Sequence, residues 1–129
     1  MKDAQMRTPM RRVRGLGAAH SGTHHFWHQR VTSVAGIPLC IAAIIVAIGL
    51  LGRNHAAVVQ ILGSPLVAIT VLLFIITIVY HMWIGMQEII VDYVHEDKLK
   101  LATLLGNTFF CFAIALASAF AILKLSFGV

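Results

Sequence analysis

The chain has 129 residues, 59% of them hydrophobic and 12% charged, with a formal net charge of +5. A mean hydropathy of +0.87 excludes an ordinary soluble domain and identifies an integral membrane protein. The basic excess does not point to nucleic acid, because its distribution follows the rule for membrane topology.

Lys2, Arg7, Arg11, Arg12, Arg14 and Arg30 precede the first apolar run, Lys98 and Lys100 fall between the second and third, and only Arg53 and Lys124 remain for the other side. Eight basic residues against two orient the chain. The N-terminus and second loop are expected in the cytoplasm, with the first loop and C-terminus outside.

Residues 1–20 are basic, broken by Pro9, Gly15 and Gly17, and carry no helical apolar stripe. They are expected to form a flexible cytoplasmic arm. No small-residue cleavage site follows a short apolar region, so a cleaved signal peptide is not expected. From Ser21 onward an anchor domain, residues 21–129, is expected to begin with a helix capped by Ser21 or Thr23. Phe26 and Trp27 then fall at the membrane interface.

The first span is expected at about 31–51, with Pro38 removing a backbone donor inside it. The following loop, "GRNHAAVVQILGSP", is bounded by Gly52 and Pro65 and is too short for a soluble domain. The second span is expected at about 65–90 and the third at about 101–127, each long enough for the roughly 20 helical residues a bilayer requires. Cys40 and Cys111 both lie in apolar runs without a C-x-x-C spacing and read as packing residues. In the third span, Ala113, Ala117 and Ala121 recur at four-residue intervals, which lets helix backbones approach closely. The predicted fold is an all-α membrane protein of three transmembrane helices.

Polar residues in the second span are not scattered. At 100° per residue, Thr70, Thr77, His81, Gly85, Glu88 and Asp92 fall on one face. Lipid offers no hydrogen-bond partner, so this stripe must face protein or a cofactor. His81 reads as the one histidine within a span, about five residues inside the cytoplasmic end and so roughly 7 to 8 Å deep. Two roles fit it: a hydrogen bond to a neighbouring helix, or axial ligation of haem iron. For the second role Gly85, one turn on, leaves room for a flat macrocycle, and a second iron ligand must come from another polypeptide. Asp92 and Tyr93 stand where the helix meets water. They fit either an interfacial belt and a solvated helix end, or a phenol and carboxylate that bind a quinone near its proton supply.

The stretch "HMWIGMQEIIVDYV", His81 to Val94, resembles the H-x-W-x-G-M-x-x-x-x-x-D-Y-V signature of the hydrophobic membrane-anchor subunit of succinate dehydrogenase. "GTHHFWHQR", Gly22 to Arg30, is similar to that family's segment ahead of its first span. The resemblance implies a heterodimeric anchor bundle, in which this chain and a second, cytochrome b type anchor subunit share one haem b. It also implies a flavoprotein subunit and an iron-sulfur subunit as partners, and a quinone, ubiquinone, as substrate. Carried onto these residues, it makes His81 the haem iron ligand, Tyr93 a hydrogen-bond donor to quinone and Asp92 its supporting carboxylate. Arg30 then matches a basic position near the haem propionates, and His24 a second one. The implied location is the bacterial cytoplasmic (inner) membrane. The chain would be part of an enzyme and not catalytic alone, since it has no Gly-rich nucleotide loop and no cysteine cluster.

Some residues exceed the pattern. His25 and His28 add imidazoles, and His20, His24 and His28 share a four-residue spacing that on a helix could hold a metal, although no acidic residue or cysteine accompanies them. Glu88 reads as a snorkelling carboxylate, a partner contact or a proton-uptake group. Two rivals to the anchor remain: an anchor of another haem-b quinone enzyme such as a fumarate reductase, and a small proton-coupled transporter using His81, Glu88 and Asp92.

Overall fold

A computed structural model describes residues 20–128, with side chains placed from Thr23 onward. The expected basic arm therefore lies outside the described residues, as does the side chain of His20. Four helices follow in order: α1 (His20–Leu50), α2 (His55–Gly63), α3 (Pro65–Tyr93) and α4 (Asp97–Phe127). Three of them, α1 from Thr23, α3 and α4, are long and apolar enough to cross a membrane. No strand occurs among the described residues.

The first helix begins well before its apolar run. It starts at His20 and not near Val31, so neither Ser21 nor Thr23 sits at a cap position. His24, His25 and His28 are consequently helical residues, and His28 reaches the level of Tyr80 on α3. The helix continues unbroken through Pro38. The missing amide there leaves one carbonyl unpaired, which flanking helical bonds tolerate.

The loop after α1 is itself partly helical. Gly52, at φ +70°, supplies the left-handed turn that ends the first helix. Asn54 then caps α2 by accepting the Ala57 amide at 2.9 Å. Ser64 closes α2 through its hydroxyl on the Ile61 carbonyl at 2.7 Å, and Pro65 opens α3 at the position where no amide is needed. At Gly63, an added Cβ would lie 2.8 Å from the Leu125 carbonyl oxygen, so α2 rests directly on the end of α4.

Helix α3 runs to Tyr93, beyond the apolar run, and Lys100 of α4 donates to its Val91 carbonyl at 3.1 Å. His81 thus stands twelve residues before the helix end, roughly 18 Å along the axis. Helix α4 carries Asp97 in its first turn and Lys124 in its last, both complementing the helix dipole.

Helix α3 lies between α1 and α4 and packs on both. It holds Ala68, Val79, Ile84 and Ile90 of the six buried apolar residues, and α4 holds the other two, Cys111 and Ile122. Helix α1 contributes none. Ala113, Ala117 and Ala121 are exposed, so the small-residue stripe of α4 points away from α3, whereas Asn107, Cys111 and Ile122 are drawn inward. Within the α3–α4 seam Trp83 Nε1 donates to Thr108 Oγ1 at 3.1 Å, and Asn107 Nδ2 donates to the Trp83 carbonyl at 3.1 Å. Such bonds hold transmembrane helices together where apolar burial supplies no preference over lipid.

Candidate functional site

Thr77, His81 and Glu88 of the polar stripe on α3 face α1. Thr77 and His81 line an open-sided cavity of about 290 Å³ between these two helices, whose other walls are Thr32, Ser33, Gly36, Ile37, Cys40 and Ile78. Small side chains on α1 make this space, since Gly36, Cys40 and Ser33 stand where larger residues would fill the seam. A Cβ added at Gly36 or at Gly85 would meet nothing within 4 Å. Gly36 thus keeps the α1 wall of the cavity open beside His81, and Gly85, one turn on from His81 along α3, adds no side chain there.

His81 itself is half-buried, and its Nδ1 lies 2.9 Å from Thr32 Oγ1 across the seam. Its Nε2 makes no hydrogen bond among the described residues. An imidazole with one nitrogen tied down and the other unoccupied beside a cavity suits metal ligation. The two readings of His81, a bond to a neighbouring helix and a ligand role, are therefore compatible.

Other histidines occupy the same seam nearer the start of α1. His28 Nδ1 lies 3.2 Å from the Tyr80 hydroxyl, its ring meets Tyr80 edge-on, and it stacks on His24 with centroids 4.8 Å apart. These parallel rings do not converge on a point, and no cluster of three metal-ligating side chains is found among the described residues. His28 also lies outside the His81 cavity and does not supply a second ligand there. His25 Nδ1 lies 3.5 Å from Glu88 Oε1, a distance that forms an ion pair only when the ring is protonated, and this nitrogen makes no hydrogen bond among the described residues.

Arg30 does not touch His81. It is exposed, with its guanidinium 5.0 Å from the Phe26 ring centroid. Seven residues before the cavity residue Ile37, it shares that residue's face of α1, roughly 10 Å further toward the helix start. A guanidinium there can meet a carboxylate that projects from the cavity toward water. His24 is exposed at the same end, on a different face of the helix.

Asp92 and Tyr93 form a separate locus. Asp92 continues the His81 stripe eleven residues on, roughly 16 Å along the axis, and Tyr93 ends the helix with 79% of its surface exposed. The Tyr93 hydroxyl has no hydrogen-bond partner among the described residues, although its carbonyl accepts from His95 Nδ1 at 3.1 Å. An exposed phenol and an adjacent carboxylate at a helix end can donate to a ligand carbonyl and exchange protons with water.

Thr32 was the residue that sequence reasoning passed over. The signal was present: Thr32, Gly36 and Cys40 recur every four residues, a polar and small stripe along an apolar helix. His25, His28 and Thr32 lie on the same side of α1, the side that meets α3.

Comparison with known proteins identifies the family of the chain. The family model for the succinate dehydrogenase/fumarate reductase transmembrane subunit matches residues 4–115. The chain is 30% identical over 121 residues to the succinate dehydrogenase hydrophobic membrane anchor subunit of Paracoccus denitrificans, covering 94% of this chain and 93% of that one. Proteins of the same name from Rickettsia bellii and Rickettsia conorii are 28% and 27% identical, over 69% and 82% of this chain and 71% and 85% of theirs. No solved structure gives a significant match.

Proposed function

The chain belongs to the succinate dehydrogenase/fumarate reductase transmembrane subunit family, as a hydrophobic membrane anchor, and from that premise we propose that it helps bind haem b and build a quinone-reduction site. The observation that carries this reading is His81, with one nitrogen held by Thr32 and an open cavity beside it. Haem iron, when bound, supplies a one-electron redox centre. His81 would ligate it, and Gly36, Ser33, Cys40 and Gly85 leave space for the macrocycle. Arg30 would hold a propionate, with His24 as a second contact at that end.

At the other locus, the Tyr93 hydroxyl would donate to a quinone carbonyl, and Asp92 would orient that bond and relay protons from water. Quinone reduction consumes protons, so a site at the exposed end of α3 has them at hand. Ubiquinone would be the substrate. Electrons would arrive from succinate through a flavoprotein and an iron-sulfur subunit, because this chain has no motif for flavin or iron-sulfur clusters. A second anchor subunit of cytochrome b type would cover the exposed apolar faces and supply the other iron ligand. The assembly would sit in a bacterial inner membrane with this chain's N-terminus in the cytoplasm.

The test is to purify the assembly through a tag on this chain in mild detergent and record its reduced-minus-oxidised spectrum and its ratio of haem to flavin. A low-spin b-type spectrum with about one haem per flavin is expected. A chain recovered alone, or with flavin and no haem, contradicts the reading.

A further inference from the structure

Resting on the haem reading of His81, a second question is what prepares that ring for iron. Thr32 Oγ1 has three polar neighbours: the His28 carbonyl oxygen at 2.8 Å, the Gln29 carbonyl oxygen at 3.1 Å and His81 Nδ1 at 2.9 Å. A hydroxyl has one hydrogen to give, and a carbonyl can only accept. Threonines in helices commonly spend that hydrogen on the carbonyl three or four residues back. Of the three neighbours, His81 alone can supply a hydrogen.

One assignment satisfies all three contacts. The Oγ1 hydrogen is shared between the two carbonyls, and His81 Nδ1–H donates to Oγ1. The reverse assignment sends the hydroxyl hydrogen to Nδ1 and leaves Oγ1 facing two carbonyl oxygens, lone pair against lone pair, at 2.8 and 3.1 Å. A neutral imidazole carries one N–H, so protonation at Nδ1 leaves the lone pair on Nε2.

We propose that Thr32 is a positioning residue that fixes His81 in its Nδ1–H tautomer, so that Nε2 is the nitrogen offered to iron, and that tunes the ligand's strength through this bond. No other hydroxyl reaches the ring among the described residues: Ser33 donates to the Gln29 carbonyl at 2.8 Å, and Tyr80 is directed to His28. The bond also crosses from α1 to α3, so it sets the ring's orientation from a helix other than its own. An acceptor on Nδ1–H raises the basicity of the ligating nitrogen and favours the oxidised iron. Losing it weakens haem binding and moves the potential upward.

The experiment uses the purified assembly with Thr32→Val, which keeps the branched shape and removes the acceptor, and with Thr32→Ser, which restores it. Haem affinity, read by transfer to a haem-scavenging apoprotein, is expected to fall about 10- to 100-fold in the Val variant. Its midpoint potential should rise, and the Ser variant should recover both. Wild-type haem transfer and potential in Thr32→Val overturn the proposal, as does a Ser variant that behaves like the Val variant, since packing would then be the cause. Nitrogen-15 NMR of labelled histidine in the reduced, diamagnetic wild-type assembly reads the tautomer without any substitution. A bare His81 Nδ1 there contradicts the assignment. His81→Ala separates premise from inference: haem loss in that variant beside an unaffected Thr32→Val removes only the role of Thr32, while undisturbed haem in it removes both.

Discussion

Tyr93 poses the sharpest question at the scale of a single residue, because an exposed tyrosine at a membrane surface is ordinarily a belt residue. Its phenol lacks a partner among the described residues and stands beside Asp92, which is what a ligand-binding hydroxyl requires. Tyr93→Phe keeps the ring and deletes only the donor. A belt role would lose little. A bond to a quinone carbonyl is worth about 0.5 to 1.5 kcal/mol when neutral. As charge develops on the oxygen during reduction, the loss grows toward about 3 kcal/mol, roughly a hundredfold in rate. We expect quinone reduction to fall while succinate oxidation with an artificial acceptor upstream of the quinone stays near wild type. Equal quinone turnover in the Phe variant, at unchanged assembly, would return Tyr93 to the belt. As candidates, His81 and Asp92 stand out in the sequence because they break the apolar pattern at a helical interval, and Tyr93 because it adjoins Asp92 where the helix meets water. Thr32 was passed over although it shares a four-residue stripe with Gly36 and Cys40, because only the facing helix shows what its hydroxyl touches.

Among the elements, α1 and α2 depart most from what hydropathy suggests. Apolar runs report the thickness of the membrane and not the length of a helix, so a helix before the span could be expected from its cap candidates, but not that His25 and His28 would pack on α3. The short helix α2 was hidden for a different reason. Nine residues are too few to show a clear period, yet Asn54 at its start and Ser64-Pro65 at its end are recognisable cap signals. Gly63 ties this element to the rest through its approach to Leu125. Gly63→Ala must push a Cβ against backbone that cannot rotate away, at a cost of about 1 to 3 kcal/mol. The thermal midpoint of the purified assembly should drop by several degrees. Gly49→Ala, where a Cβ meets nothing within 4 Å, should leave it unchanged. Identical midpoints for the two variants would show that α2 does not rest on α4.

The whole molecule is an incomplete bundle. Only α3 is substantially covered, α1 buries no side chain fully among the described residues, and large residues such as Phe109, Phe112 and Phe120 of α4 remain more than 60% exposed. Three helices with so little mutual burial are expected to depend on lipid and on a second anchor chain for their stability. On the proposed orientation, with the N-terminus in the cytoplasm, reporter fusions placed after Gly52 and after Val129 should both read as outside. A cytoplasmic signal from the Val129 fusion would contradict three spans.

The architecture was readable from the sequence because three membrane-length runs admit few alternatives. Which helix lies in the middle was not, since all three are similarly apolar and only side-chain pairing, Thr32 with His81 and Trp83 with Thr108, settles it. That central helix carries the claim on which the rest depends, namely that His81 holds haem iron between this chain and its partner. His81→Ala removes the ligand and leaves the α3–α4 seam intact, with Trp83, Thr108 and Asn107 untouched. The decisive measurement is the haem-to-flavin ratio and low-spin b-type spectrum of the His81→Ala assembly beside wild type. The account predicts loss of haem, or conversion of its low-spin signal, at unchanged flavin content. A wild-type spectrum at a wild-type ratio would contradict it.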